Sequence, residues 1–184
     1  DIVGDYDCIC LHPSMLPEYR GGSPIQNQVF DGVLESGVSV IKMNSGVDTG
    51  PIYKQVEIHL DGPIEEVFKR ITSAGSAISR DLIHDYVNND LFFYEQDHQR
   101  ATVVRRRRPS DSVMSLEDIS MIDYIFFQRY VNVLRDPYPN LNITVNDFLL
   151  KITKVKFLPT LPKTNKLIDN LTYLDITNDR EIYI

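Results

Sequence analysis

Two loops constrain this chain more than anything else in it. The run Cys10-Leu-His-Pro-Ser-Met-Leu-Pro-Glu-Tyr-Arg-Gly-Gly-Ser-Pro24 begins as an apolar, β-prone stretch from Ile9 to Leu11 and delivers His12 onto a loop closed by two prolines. A second loop, Gly46-Val-Asp-Thr-Gly50, presents Asp48 between two glycines. A strand that ends at a loop histidine, with a glycine-framed carboxylate further on, is an acid–base arrangement at the rim of an α/β sheet.

The rest of the pattern fits that frame. Tyr6–Leu11 and Val38–Met43 read as strands, and Pro51–Leu60 as a third extended segment. A helix is expected within Gly21–Gly37, starting near Ser23-Pro24, because serine caps helices and proline suits their first turn. Pro63–Asn88 carries the longest helical pattern, with Val67, Ile71, Ala74, Ile78, Leu82 and Val87 near helical spacing and two glutamates in its first turn. Arg105–Pro109 reads as a linker. Beyond it, Ser115–Leu134 reads as a second helix, Asp136–Asn140 as a turn and Thr144–Lys156 as a β-hairpin. Leu171–Ile176 and Glu181–Ile184 read as further strands. The expected domains are therefore 1–109, an α/β catalytic portion, and 110–184, a helix-plus-β extension.

Composition narrows the function classes. A net charge of −7 lacks the basic footprint of a general nucleic-acid binder, so no nucleic-acid partner is expected. No apolar run approaches the length of a membrane helix, and a membrane partner is not expected either. The two cysteines, Cys8 and Cys10, sit too close for an easy disulfide, which points to the reducing cytoplasm. Cys8, Cys10 and His12 form Cys-x-Cys-x-His, but zinc pairs need wider spacing and a second pair, so no metal is expected. The chain opens at Asp1 and almost at once enters a buried-type strand, as if a front half were absent.

The two loops resemble the signature of the formyltransferases that use 10-formyltetrahydrofolate, written Asn-x-His-x-Ser-Leu-Leu-Pro-x-Tyr-Arg-Gly and then Asp-x-Gly. The resemblance implies the C-terminal part of a Rossmann-like α/β catalytic domain followed by a small helix-plus-β-hairpin tail. It makes His12 the oxyanion-stabilising histidine and Asp48 the residue that orients it and manages the amine proton through water. Ser14, Tyr19, Arg20 and Gly21 would build the loop on the amine-substrate side, Tyr19 and Arg20 either touching substrate or bracing the loop. Val47, Asp48 and Thr49 would meet the folate ring. Cys10 stands where the family has an asparagine. A thiol is a weak donor, and losing one oxyanion donor costs about 2.7–4 kcal/mol. A nucleophilic Cys10 beside His12 is the alternative role.

Within the resemblance, Arg106-Arg-Arg-Pro-Ser-Asp-Ser112 followed by Asp136-Pro-Tyr-Pro139 matches the branch that formylates amino sugars on a nucleoside diphosphate. The short tail and acidic charge point the same way, because the methionyl-tRNA branch appends a larger basic β-barrel. The expected partners are thus a dTDP- or UDP-linked amino sugar and the folate, in a homodimer paired through the tail hairpin, making an N-formylated sugar for a surface glycan. The arginine run would then be mainly structural or assist the sugar diphosphate. The alternatives are a non-catalytic remnant or partner-completed half, a sugar-nucleotide binding module without turnover, and a methionyl-tRNA formyltransferase relative.

Overall fold

The computed structural model describes residues 2–145, 148–152, 175–176 and 182–183. They fall into two compact units, residues 1–61 with 65–107, and residues 62–64 with 108–184.

The first unit opens with a single helical turn, α1 (Ile2–Asp5), and is built on a three-stranded sheet of order β1-β3-β4. Strand β1 (Ile9–His12) runs antiparallel to β3 (Glu35–Lys42), and β3 antiparallel to β4 (Ile52–His59). Between β1 and β3 lie the short strand β2 (Arg20–Gly21) and helix α2 (Pro24–Phe30). After β4 comes α3 (Ile64–Val87), whose Val67, Ile71, Ala74 and Ile78 recur at helical spacing and are buried. The short strand β5 (Val103–Val104) pairs in parallel with β2.

Register gives the sheet two distinct faces. Leu11, Val40 and Lys54 align on one, and there α3 closes in: a Cβ on Gly75 would sit 2.3 Å from Leu11 Cδ1. Helix and strand approach closely here, and a side chain at position 75 would need Leu11 Cδ1 to move aside. Lys54 Nζ also bonds Asp81 Oδ2 of α3. On the opposite face Cys10 aligns with Ile41 and Ile52, and His12 with Ser39 and Gln55. Leu16, Ile41 and Ile52 form an apolar cluster against which Cys10 packs. Beside it Ser39 Oγ donates to Ser14 O at 2.6 Å and accepts from Leu16 N at 3.1 Å. Gln55 Nε2 donates to Leu16 O at 3.0 Å. The proline-bounded loop is thus pinned onto the face that carries His12.

The expected elements of this unit are present with four adjustments. The strand expected over Tyr6–Leu11 begins only at Ile9. His12 is the last residue of β1 rather than a loop residue. Strand β3 starts at Glu35, so Gly37 lies inside it, where an added Cβ would come within 3 Å of the Met15 side chain and Val56 O. Ser23 precedes α2, but in left-handed conformation (φ 52°) and without a side-chain cap. Its hydroxyl instead accepts from Arg107 N at 3.1 Å.

In the second unit β6 (Val113–Ser115) pairs in parallel with β7 (Asn142–Val145), which runs antiparallel to β8 (Phe148–Lys151). The helix expected over Ser115–Leu134 is two helices, α4 (Leu116–Met121) and α5 (Tyr124–Val133). Two caps explain the break. Ser115 and Asp118 bond reciprocally at the start of α4, and Asp123 Oδ1 accepts from Phe126 N at 2.8 Å to start α5. Phe127, Val131, Leu141, Ile143 and Ile152 are buried. Strands β9 (Asp175–Ile176) and β10 (Ile182–Tyr183) pair antiparallel. The remainder of the expected Leu171–Ile176 and Glu181–Ile184 strands, and residues 153–156 of the expected hairpin, lie outside the described residues. Among the described residues no helix is long and apolar enough to cross a membrane.

Candidate functional site

His12 and Asp48 meet. The imidazole Nδ1 lies 3.4 Å from Asp48 Oδ2, with 6% of the histidine side chain and 17% of the aspartate side chain exposed. The other ring nitrogen, Nε2, is 2.9 Å from Tyr19 O. A carbonyl only accepts, so Nε2 carries a hydrogen and donates it. Both nitrogens therefore face acceptors.

Asp48 sits in left-handed conformation, φ 52°, unusual for a residue with a side chain. Gly21 N donates to Asp48 Oδ2 at 2.8 Å, so this oxygen is shared between the Gly21 amide and the imidazole. Among the described residues no donor reaches Oδ1, which leaves one carboxylate oxygen able to take a proton. The loop closes tightly behind it: a Cβ on Gly50 would lie 1.7 Å from Lys42 O. Gly21 has φ 98°, and a Cβ there would lie 2.3 Å from Val104 O. Glycine is thus required on both sides of the carboxylate.

Cys10 lies on the same sheet face, two residues before His12. Burial pushes its thiol pKa up, and the nearby Asp48 carboxylate pushes it further. It stays a protonated thiol at neutral pH, which disfavours the nucleophilic role. Iodoacetamide should therefore label Cys10 slowly. Asp48→Asn should make labelling faster without reaching the rate of an open thiol, since burial is the larger cause. An unchanged rate in that variant would mean that the carboxylate does not act on the thiol.

The other sequence-predicted residues divide. Val47 is 67% exposed and Thr49 half-buried, flanking Asp48 on the open side of its loop. Ser14 is fully buried, and its hydroxyl donates to Glu18 O at 2.6 Å inside the loop. Tyr19 donates its hydroxyl to Asp31 Oδ2 at 3.0 Å, and burial with this bond holds the phenol at about 12. Arg20 is buried and bonds Gln96 Oε1 and His98 Nδ1. These three side chains brace the loop. Among the described residues no three of His, Cys, Asp and Glu gather to hold a metal ion.

Two residues near the site carried no signal in the sequence. Gln96 Nε2 donates to Asp48 O at 2.9 Å and to Gly50 O at 2.6 Å. Thr102 Oγ1 accepts from Tyr19 N at 2.7 Å. Neither belongs to a motif, and both reach the site across dozens of residues of chain.

Residues 5–80 match the sequence model of the family described as formyl transferase, and the fold is the α/β fold of a formyltransferase catalytic domain. Among particular proteins, the chain is 39% identical over 158 residues to the methionyl-tRNA formyltransferase of Sulfurimonas denitrificans. That match covers 85% of this chain and 49% of the relative, so the chain spans about half the relative's length. The structure of methionyl-tRNA formyltransferase from Clostridium thermocellum superposes with TM-score 0.73 at 28% identity, covering 87% of this chain and 67% of that one. The N-formyltransferase of Helicobacter canadensis, solved with folinic acid and dTDP-3-aminofucose, superposes with TM-score 0.64 at 19% identity over 79% of this chain and 52% of that one.

Proposed function

We propose that this chain carries the reacting residues of a formyltransferase that moves a formyl group from 10-formyltetrahydrofolate to a primary amine. The observation that carries the reading is the pairing of His12 with Asp48 inside the segment that matches the family. The folinic acid in the Helicobacter neighbour supports a folate donor. The residues fit one: the loop that presents Asp48 also exposes Val47, an apolar contact for a flat ring.

Bound there, 10-formyltetrahydrofolate would supply the electrophilic formyl carbon. His12 would bring its imidazole beside the formyl oxygen as negative charge gathers there. Asp48 fixes the ring through Oδ2 and, through the open Oδ1 and a water, takes up the proton that the attacking amine must lose. Tyr19 O and Gly21 N hold the two partners through hydrogen bonds of 2.9 and 2.8 Å.

The acceptor we favour is the amine of methionyl-tRNA, supported by the Sulfurimonas and Clostridium relatives. This departs from the sugar amine, and from the absence of a nucleic-acid partner, that charge and tail length suggested. Those two features are weak guides when the chain spans about half the length of its relative. The sugar amine is the second reading. It rests on the Asp136-Pro-Tyr-Pro139 stretch after α5 and on the dTDP-3-aminofucose in the Helicobacter neighbour. In that reading the β7–β8 hairpin would join two copies.

Calorimetric titration with 5-formyltetrahydrofolate, an unreactive isomer of the donor, comes first. Micromolar binding is expected. Folded protein that binds none would favour a non-catalytic or partner-completed half. Transfer from 10-formyltetrahydrofolate is then measured with methionyl-tRNA and with dTDP-linked amino sugars side by side. Formyl-methionyl-tRNA is the expected product, and a formylated sugar alone would replace it with the second reading.

A further inference from the structure

We infer that Gln96 is a positioning residue, whose amide holds the Asp48 loop so that the carboxylate meets His12. The inference rests on the transfer reading above and adds to it a residue that lies beyond the segment matching the family, which ends at residue 80.

Gln96 is 5% exposed, and every hydrogen-bonding position of its amide is used. The two Nε2 hydrogens go to the carbonyls of Asp48 and Gly50, at 2.9 and 2.6 Å, on either side of Thr49. Oε1 accepts from Arg20 Nε at 3.1 Å and from Arg20 Nη2. The amide cannot be turned over, because carbonyls only accept and a guanidinium only donates. Arg20, itself buried, therefore sets which way Gln96 points, and Gln96 sets where the loop sits.

What it holds is strained. A non-glycine residue in left-handed conformation costs of order 1–3 kcal/mol and persists only when its surroundings over-determine it. Asp48 has that conformation, and one of the two Gln96 bonds goes to its own carbonyl. The same segment steadies the other side of the imidazole. Tyr19, also left-handed at φ 57°, gives its N–H to Thr102 Oγ1, Arg20 N donates to Thr102 O at 2.9 Å, and Tyr19 O receives the Nε2 hydrogen of His12. The stretch from Gln96 to Thr102 thus governs both acceptors that face His12. A buried amide that only filled space would have no reason to converge on these two loops.

Gln96→Glu tests this cleanly. Glutamate keeps two acceptors for Arg20, so the buried guanidinium stays paired and the fold is retained, but it has no hydrogen to give the loop carbonyls. The expected result is a kcat lower by roughly ten- to a hundredfold, the usual effect of removing a partner that orients a reacting group. KM for 10-formyltetrahydrofolate should change little. Gln96→Met, which neither donates nor accepts, should lower kcat in the same range. A second readout does not depend on turnover. The imidazole ¹⁵N resonances of His12, assigned with His12→Gln, should move in Gln96→Glu toward the positions they take in Asp48→Asn. Wild-type kcat in folded Gln96→Glu, or unmoved His12 resonances, would overturn the inference. A wild-type protein that transfers no formyl group would instead sink the transfer reading, and the resonances alone would then decide the role of Gln96.

Discussion

Asp48→Asn should lower formyl transfer by roughly a hundred- to ten-thousandfold, the range in which a positioned acid–base group contributes, while leaving the protein folded. The substitution is nearly isosteric, and the asparagine oxygen can still accept from Gly21 N, so the loop has little cause to move. The chemistry changes at the imidazole. Asp48 Oδ2 is an acceptor 3.4 Å from His12 Nδ1; in the variant an amide nitrogen, a donor, takes that place or the adjoining one. With its Nε2 hydrogen committed to Tyr19 O, the ring then presents Nδ1 as an acceptor to that amide. The carboxylate that fixes the ring is gone, and with it the open oxygen that could take the amine proton. A kcat measurement beside thermal unfolding decides the matter. Near-wild-type turnover would move the base elsewhere, and loss of turnover with loss of folding would make Asp48 a structural residue.

Which parts of this arrangement a reader of the sequence can find follows from the range over which each is encoded. The apolar run into His12 and the recurrence of Val67, Ile71, Ala74 and Ile78 are local patterns; they fix α3 to within a residue and the end of β1 likewise, though β1 begins three residues later than Tyr6. The glycines around Asp48 are also local, and at Gly50 an added Cβ would strike the Lys42 backbone. The break between α4 and α5 was readable in principle: Asp123 is a good N-cap, and a long apolar pattern concealed it. The direction of a side chain is different. Arg20 in a Tyr-Arg-Gly loop reads equally as a substrate contact or a brace, and its guanidinium turns inward because Gln96, 76 positions on, offers an acceptor. Gln96 sits among Glu95, Asp97 and His98 with nothing periodic around it. Only the path of the chain after α3 brings it under the Asp48 loop, so no spacing rule could have singled it out. Local patterns carry the two groups that meet, and long-range packing carries the groups that make them meet.

Cys10→Asn should raise formyl transfer by about a hundred- to a thousandfold, the effect of restoring one strong oxyanion donor. Position 10 is where the formyltransferase signature has asparagine, and the geometry suits that residue. Cys10 lies on the His12 face of β1, in register with Ile41, and close enough to Asp48 for the carboxylate to raise the thiol pKa. An amide placed there would give its hydrogens to the space beside the imidazole, whereas the thiol is a weak donor whose contact is the Leu11 carbonyl at 3.7 Å. Two costs oppose the gain. Asparagine is a poorer strand residue than cysteine, and its amide must stand against the Leu16–Ile41–Ile52 cluster. The first is worth up to about 1 kcal/mol. The second is limited because the position is half-buried and the amide can keep part of its hydration. Both act on stability, while the donor acts on kcat, so the two effects separate experimentally. A folded variant whose kcat is unchanged or lower would show that the site already draws its oxyanion donor from elsewhere, and would leave Cys10 as packing alone.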